Sequence, residues 1–433
     1  MRGLMKRKSF VFLVVVLAAV FFDNFCFAEE NELDLEKGLQ MAEMNLRVWR
    51  NLTQSELDRD EITSWTLVPS ELLHYGADYL VGDSFWRAVC AIPLLIVLEI
   101  PLSGASHEYG HFRIGSLAGM DQPQFINEDN PNDRYNANPF NTYTRMFRQL
   151  ILMDGLYAVG QSDDAWEKFL ADPRWSAYWL EYEIMTEASG LNQQQYNAET
   201  LAGKVLDGNA HPLDAITVIS NLLATITYPV GENSDIVDYI HLLRERGIKT
   251  NVKQIKLYSQ LPKLASNSAL SLTRALVGYL DEPGTDSAVK PLALVRDNWH
   301  FYWPEFSSYL TLYGPTIKLS QSNRWRNQII YFSLENSLSK NIFEVGLGWK
   351  LPIANFLTIE PRIIHNFQSG SWLDNNWFEI ETSAKIYSWL ALGFKAYGAR
   401  GYTFQRDITG QEPSFLEKRE FGLKGFLAAS FSY

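Results

Sequence analysis

The stretch Phe343-Glu344-Val345-Gly346-Leu347-Gly348-Trp349-Lys350-Leu351 decides the fold of the C-terminal third of the chain. Apolar side chains occupy every second position, and glycine or a charged residue stands between them. Successive side chains of a β-strand point to opposite faces, so the alternation predicts a strand with one apolar and one polar face. Related alternation recurs at residues 330–335, 356–364, 378–386 and 390–397. With turn-forming residues between these segments, we expect about seven or eight antiparallel strands.

The last segment of the chain indicates the surroundings of this sheet. Phe421, Leu423 and Leu427 share one face, Lys424 lies on the other, and the chain ends on Tyr433. This pattern resembles the C-terminal strand of bacterial outer-membrane barrels, which face lipid with apolar side chains and leave no unpaired edge. The resemblance implies a membrane barrel, although a water-soluble sandwich, or a sheet packed on helices, would show the same alternation.

Charged residues occupy the polar faces of these strands and are expected to pair inside a narrow lumen. They are Glu344, Lys350, Glu360, Arg362, Glu379, Glu381, Lys385 and Lys395.

Residues 32–279 have a different periodicity, because their apolar residues recur mostly at intervals of three and four. This spacing predicts helices, for which we select residues 33–57, 175–188, 214–226 and 236–246. Residues 121–141 are rich in asparagine and proline and are expected to form a surface loop. We therefore predict an α+β protein with a helical domain at residues 29–300 and an antiparallel β-barrel of about eight strands at residues 301–433.

The helical half contains the stretch His107-Glu108-Tyr109-Gly110-His111. Residues at i and i+4 lie on one face of a helix, so both imidazoles could bind a single Zn²⁺ with Glu108 beside them. Pro101 suits a helix start, and we expect one helix from Leu102 to Leu117 that ends near Gly119. Small residues share the histidine face, which allows another backbone or a substrate to come close. A buried polar pair satisfied by its neighbours is the alternative interpretation.

The motif resembles that of the gluzincin zinc peptidases, in which a glutamate on a later helix is the third metal ligand. Glu183 and Glu187, one turn apart just before Gly190, are the candidates for this position. By similarity to the third-ligand helix of those enzymes Glu183 would bind the metal. Glu187 has the advantage of small neighbours, so both assignments stay open.

The same motif also resembles that of the intramembrane site-two proteases, whose third ligand is an aspartate in a proline-rich context. His211-Pro212-Leu213-Asp214-Ala215 is similar to that context and offers Asp214 as the alternative ligand. Those enzymes need several membrane-spanning helices. Residues 88–102 are apolar but too short to span, and they predict a buried core helix.

The N-terminus has the organisation of a secretory signal peptide at residues 1–28. Basic residues at positions 2–8 precede an apolar run at positions 10–22, and Ala28 suits the cleavage site. The net charge of -12 argues against nucleic acid as a partner, because binding phosphates requires clustered basic residues. We expect an exported protein in the outer membrane, with its helical domain facing the periplasm.

Together these features predict a zinc-dependent peptidase of the cell envelope that acts on peptides or proteins and contacts outer-membrane lipid. His107, His111 and one carboxylate would hold Zn²⁺, and Glu108 would be the general base for a metal-activated water. Tyr109, Tyr196 and His211 are possible donors to the developing oxyanion. The alternative is a non-catalytic outer-membrane structural or transport protein that carries a degenerate metal motif.

Overall fold

A computed structural model describes residues 43–52, 58–80, 92–117, 124–127, 130–136, 139–152, 157–160, 167, 171–231, 234–281, 289–368, 375–409 and 419–432. The predicted signal peptide and the predicted helix end at Gly119 lie outside these ranges. The helices are α1 (Arg59–Leu80), α2 (Ile92–Leu117), α3 (Pro139–Leu152), α4 (Pro173–Ser176), α5 (Trp179–Asp207), α6 (Asp214–Thr227), α7 (Asp235–Glu245), α8 (Asn267–Asp281) and α9 (Phe404–Thr409). A π-helical turn at Gln254–Tyr258 and a 3₁₀ turn at Leu261–Ala265 lie between α7 and α8.

Short strands separate the helices, and long ones dominate the C-terminal part. The strands are β1 (Glu43–Asn51), β2 (Gln124–Asn127), β3 (Asn130–Asn136), β4 (Tyr157–Gly160), β5 (Ala293–Arg296), β6 (Trp299–Tyr302), β7 (Glu305–Ser307), β8 (Leu310–Thr311), β9 (Gly314–Trp325), β10 (Gln328–Ser337), β11 (Phe343–Ala354), β12 (Leu357–Asn366), β13 (Asn376–Tyr387), β14 (Leu390–Arg400) and β15 (Glu420–Ser432).

Twelve of these strands form one antiparallel sheet. Its order is β1-β15-β14-β13-β12-β11-β10-β9-β6-β5, and β7 and β8 also pair with β9. The two end strands, β1 and β5, do not pair with each other, so the described sheet is open. The predicted α+β class is confirmed, as are the predicted strands within β10 to β15 and the helices α6 and α7. The sheet has twelve strands where about eight were predicted, and the predicted closure into a barrel is not found among the described strands.

The helical prediction for residues 33–57 is wrong where the structure describes that segment. Residues Glu43–Asn51 form β1, which pairs with β15 along its whole length. Trp49 is buried with its ring centroid 4.6 Å from that of Phe426. Pairing with a strand from the far end of the chain outweighs the local three-and-four spacing, because it satisfies the backbone and buries the indole. The sheet therefore includes a strand from the N-terminal segment.

Residues 121–141 are not the loop that their polarity predicts. Strands β2 and β3 form a hairpin there, β4 adds to β2, and α3 begins at Pro139. The added strand comes from beyond α3, so the backbone pairing that orders these polar residues is supplied by a distant segment.

Two helices also pass through residues predicted to be helix boundaries. Helix α2 begins at Ile92, not at Pro101, and carries that proline in its interior. Helix α5 continues beyond Gly190 to a left-handed C-cap at Gly208, whose φ is 72°. Within the described ranges, none of the helices combines the length and apolarity needed to cross a bilayer.

The inner face of the sheet meets helices α1 and α5 through pairs of opposite charges. Lys318 on β9 pairs with Glu199 of α5, and the ammonium of Lys350 on β11 lies 2.7 Å from Asp207 of the same helix. On β15, Lys424 lies 2.8 Å from Asp60 of α1. Strands β9 and β11 therefore contact α5, and β15 contacts α1, so both helices lie against the inner face of the sheet.

The N-terminal helices also cover the edge of the sheet. Helix α1 packs along β1, and the Trp49 N–H donates to the Ser64 hydroxyl at 3.2 Å. Helix α5 packs against β7 and β8, where the Asn192 amide bonds both the N–H and the carbonyl of Leu310 at 2.7 Å. Edge groups that would otherwise recruit another strand are thus satisfied within the chain.

Two carboxyl groups lie opposite each other inside the sheet. Glu335 of β10 and Glu344 of β11 are cross-strand partners, and both side chains are buried. Burial raises the pKa of Glu335, and the charge of Glu344 raises it further. Burial also raises the pKa of Glu344, although the Phe404 N–H, at the start of α9, donates to this carboxylate at 2.7 Å.

This pair makes the folded protein less stable as the pH rises. Both pKa values lie above those of the unfolded chain, so the folded state binds more protons, and stability falls as the pH rises above the ordinary glutamate value of about 4.3. Glu335→Gln should reduce this fall by up to about 1.4 kcal/mol per pH unit. Denaturant unfolding between pH 5 and 8 measures it, with the exposed Glu245→Gln as control. An unchanged slope in Glu335→Gln would show that the pair does not titrate in this range.

Candidate metal centre

The two histidines of the motif lie together with an aspartate from another helix. The Nε2 atoms of His107 and His111, one turn apart on α2, are 3.0 Å from each other. The Oδ2 atom of Asp235, at the start of α7, lies 3.0 Å from each of these nitrogens. Among the described residues, this is the group of histidine and carboxylate side chains whose ligand atoms converge closely enough to hold a metal.

Close packing between α2 and α5 positions the two rings. A Cβ atom added to Gly110 would lie 2.4 Å from the Ser189 carbonyl oxygen, and one added to Gly190 would lie 2.4 Å from Nε2 of His111. Only glycine therefore fits at this crossing. Another backbone does come close to α2, but at Gly110, which is not one of the small residues that the sequence analysis placed on the histidine face. Gly190, predicted to stop a helix, makes room for the imidazoles.

Hydrogen bonds from α5 fix the orientation of both rings. The Nδ1 atom of His111 lies 2.7 Å from the Thr186 carbonyl oxygen, and Nδ1 of His107 lies 3.4 Å from Oε1 of Gln194. A proton on Nδ1 can be donated to each of these acceptors, which leaves the Nε2 lone pairs directed at the shared site.

Charge controls the protonation of this cluster. Burial alone would lower the pKa of His111, but the Asp235 carboxylate outweighs this effect, and the pKa rises to about 10. Burial alone would raise the pKa of Asp235, whereas the two imidazoles hold it well below the ordinary range. Without metal the cluster is therefore an ion pair at neutral pH, and a metal ion must displace a proton to bind.

The donor set fits zinc. Two imidazole nitrogens and one carboxylate oxygen are a typical ligand set of catalytic zinc sites, which keep a further position for water or substrate. The three donor atoms form a triangle with sides of 3.0 Å. Ligands about 2.0–2.1 Å from a tetrahedral zinc ion are separated by about 3.3 Å, so small side-chain movements would accommodate the ion.

The predicted third ligands do not belong to this triangle. Glu183 and Glu187 lie on α5, the helix that packs over the histidines. Burial raises the pKa of Glu187 to about 7, and the charges of His111 and Asp235 also act on it, so its carboxyl group lies near the centre. The structure thus brings Asp235 into ligand distance and leaves Glu187 as a neighbour.

Asp214, the alternative ligand, belongs to a separate buried cluster at the start of α6. Its Oδ1 atom lies 2.9 Å from Nδ1 of His74, and the other ring nitrogen of His74 lies 3.3 Å from Glu99. Burial alone would lower the pKa of His74, but the two carboxylates raise it to about 9. His74 is therefore an imidazolium between two acids, and Asp214 serves this cluster.

The predicted general base lies near the histidine–aspartate cluster, whereas the predicted oxyanion donors do not point to it. The charge of Glu108 acts on both His111 and Tyr228, as expected for an acid beside the metal centre. The predicted donors are engaged elsewhere: the hydroxyl of Tyr109 accepts from Thr142 at 3.0 Å and that of Tyr196 donates to Asp60 at 2.5 Å. The Nδ1 atom of the His211 ring accepts from the Leu213 N–H at 3.1 Å.

Tyr228 lies beside the candidate metal ligands His107 and Asp235. No motif in the sequence predicts this position. Its hydroxyl lies 3.4 Å from Nε2 of His107 and hydrogen-bonds to Asp235, and its ring stacks on that of His107. Burial raises the pKa of Tyr228, and the charge of Asp235 raises it further, so the phenol keeps its proton.

Asp235 carried a weak signal in the sequence. It follows Ser234 and precedes an apolar helix, a position at which acids are favoured by the helix dipole alone. Nothing local distinguishes a metal ligand from such a helix-starting acid, and His107 is 128 residues away. Comparisons with protein-family models, curated proteins and solved structures find no match to this chain.

The identity of the third ligand can be tested by substitution. Asp235→Asn should lower zinc affinity more than tenfold, because it removes both a ligand and the charge that balances the cation. Glu183→Gln and Glu187→Gln should keep zinc at one equivalent, as measured by plasma mass spectrometry and calorimetry. Loss of zinc from Glu187→Gln with retention in Asp235→Asn would reverse the assignment.

Proposed function

We propose that this protein is a zinc-dependent peptidase of the bacterial cell envelope. The observation that carries the proposal is the convergence of His107, His111 and Asp235 at 3.0 Å beside the acid Glu108. A bound Zn²⁺ would polarise the scissile carbonyl group and acidify a water molecule.

The side chains of the chain supply the remaining chemistry. Glu108 would take a proton from the attacking water and pass it to the leaving amine, which requires a carboxylate at neutral pH. Tyr228 keeps its proton and would donate a hydrogen bond to the oxygen that becomes negative as the tetrahedral intermediate forms. Asp235 would be the third ligand and would hold the two imidazoles in their orientation through its carboxylate.

The sheet supports placement of this enzyme in a membrane as a barrel. Its polarity is inverted relative to that of a water-soluble sheet, because charged residues face inward and large apolar residues face outward. On β11 the Glu344 side chain is buried, whereas Leu347 is 54% exposed. Similar outward positions are held by Phe332, Ile363, Phe378, Phe394 and Phe421. Lipid chains are the solvent that such a surface favours.

Aromatic residues at one end of the sheet also favour a bilayer. The short turns that join β5 to β6, β9 to β10, β11 to β12 and β13 to β14 lie at the same end, since the strands are antiparallel. Aromatic residues stand at these turns, with Trp299 stacked on Trp325 and Tyr387 stacked on Trp389. Such side chains are typical of the bilayer interface. Helices α1 and α5 would lie inside the barrel, against the inner face of the sheet, and export would follow from the predicted signal peptide.

Peptidase activity can be tested through the general base. Glu108→Gln should lower hydrolysis of a fluorogenic peptide library by about 100-fold or more, because proton transfer is lost while the metal ligands remain. Zinc content should stay at one equivalent. The exposed Glu245→Gln on α7 is the matched control and should keep full activity.

Two outcomes would contradict the enzymatic proposal. Zinc-free protein after purification without chelators would remove the metal centre. Equal activity in wild type and Glu108→Gln would assign any hydrolysis to a contaminant and favour a non-catalytic envelope protein.

Membrane insertion can be tested on the outer face of the sheet. Leu347→Arg should cost about 2–4 kcal/mol if this side chain faces the middle of the bilayer, so it should reduce both outer-membrane recovery and heat-dependent gel migration. Val277→Arg, at a helix position of equal exposure (54%), should have no such effect. Release of the wild type by alkali, or normal behaviour of Leu347→Arg, would contradict insertion.

A further inference from the structure

A large polar cavity lies between the inner face of the sheet and helices α1 and α5. Its volume is about 620 Å³, within the range of small-molecule binding sites. Charged side chains and hydroxyl groups line it, from the strands on one side and from the two helices on the other. Apolar side chains, among them Leu67, Val68 and Leu206, complete the lining. The cavity therefore suits a ligand that carries charged groups but is not charged throughout.

One row of charges crosses four neighbouring strands, and its first three residues line the wall of this cavity. Glu360 of β12 pairs in register with Glu381 of β13, which pairs with Lys395 of β14, which pairs with Lys424 of β15. Like charges therefore stand side by side at both ends of the row. Each like-charged pair requires an opposite charge from elsewhere, because adjacent like charges destabilise a sheet.

The helices and strands supply these opposite charges for three of the four residues. Lys424 lies 2.8 Å from Asp60, and Lys395 lies 3.8 Å from the same carboxylate. Glu381 lies 3.1 Å from Arg47 and 3.6 Å from Lys395. Glu360 forms no hydrogen bond or ion pair with any residue that the structure describes, and the opposite charge of Lys350 on β11 acts on it only from beyond contact distance. Its carboxyl group faces the cavity without a counter-charge in contact.

A second charge without an ion-pair partner stands further along the same wall. Lys385 follows Glu381 by four residues on β13, lines the cavity, and is exposed. Its ammonium forms no ion pair within the described ranges. Since Glu360 lies opposite Glu381, the two positions are separated by about 13 Å along the strand direction. The cavity therefore offers one negative and one positive anchor at a fixed spacing.

We propose that this cavity binds an unblocked peptide of about three or four residues, with its terminal ammonium at Glu360 and its terminal carboxylate at Lys385. An extended peptide of that length spans about 10–14 Å, which matches the separation of the two anchors. Ser333, Thr358 and Ser383 line the wall and offer hydroxyl groups to the amides between the ends.

The electrostatics of the cavity favour this ligand. Burial raises the pKa of Glu360 to about 7, and the neighbouring Glu381 contributes to this rise. An ammonium group placed against Glu360 would offset both effects. A single metal ion would engage only one of the two anchors, whereas a peptide uses both.

The cavity is distinct from the metal centre, although α5 contacts both. Gly190 packs on the histidines, whereas Glu199, Lys204 and Asp207 of the same helix line the cavity. Glu199 follows Gly190 by nine residues, which corresponds to about 14 Å along the helix. Binding of short peptides here needs no catalysis, so it goes beyond the proposed function, although such peptides are also what a peptidase releases.

Calorimetry on full-length Glu108→Gln protein in detergent tests the inference, since this variant would not hydrolyse the probes. Tetra-alanine should bind, and both N-acetyl-tetra-alanine and tetra-alanine amide should bind at least tenfold more weakly, because each lacks one terminal charge. Absence of tetra-alanine binding, or equal binding of the capped peptides, would overturn the proposal. This comparison changes only the peptide, so misfolding of a further variant cannot explain the result.

Two variants assign each peptide end to its anchor. In the Glu108→Gln background, Glu360→Gln should abolish the loss of affinity caused by N-acetylation of the peptide and keep the loss caused by amidation. Lys385→Gln in the same background should abolish the loss caused by amidation and keep the loss caused by N-acetylation. Lys340→Gln, an exposed lysine in the β10–β11 turn, is the control and should change neither effect. An acetylation effect that persists in Glu360→Gln would place the peptide elsewhere. Because hydrolysis is measured separately on wild type, either proposal can fail while the other stands.

Discussion

The pairing of sheet lysines with carboxylates on α1 and α5 is the interaction on which this structure depends. Lys318, Lys350 and Lys424 each project from a strand and meet an acid of a helix. Transfer of such charges out of water is costly, and Lys318 or Lys424, which are both buried, would be left as an uncompensated charge without its partner. The ion pairs therefore contribute little net free energy to folding, and their main effect is to fix the position of the helices against the sheet. Only one docking of the helices satisfies them all.

That docking places α5 at both candidate sites, the metal centre and the cavity. Its N-terminal half crosses α2 at Gly110 and Gly190, close enough for the two imidazoles to share a site with Asp235. Its C-terminal half forms one wall of the polar cavity. Between them, a buried run of amides connects the elements: Gln193 bonds Thr63 of α1 at 2.9 Å, and Asn197 bonds Ser106 of α2 at 2.8 Å. These groups fix the helix rotation that both sites require.

The distribution of polarity gives the molecule two different environments. Apolar side chains form the core where helices meet helices, as around Ile184 and Tyr239, whereas the sheet turns its apolar side chains outward. Exposure of that apolar outer surface to water is unfavourable. The charged inner face also lacks the apolar side chains with which a water-soluble sheet forms its core. The proposed bilayer outside the sheet and the proposed peptide in the cavity inside it would reconcile the two, and both proposals are based on the same alternation.

The sequence determined the features that depend on near neighbours along the chain. Alternation specified the strands from β10 to β15, three-and-four spacing specified α6 and α7, and the motif placed His107, Glu108 and His111 on one helix. It could not specify β1, whose backbone is ordered by β15 more than 370 residues away, from Glu43 paired with Ser432 onward. Nor could it distinguish Asp235 from any other acid that starts a helix, or Gly190 from a helix stop. Only the tertiary structure decided these, because a ligand, a strand edge and a close helix crossing are each completed by groups from a distant part of the chain.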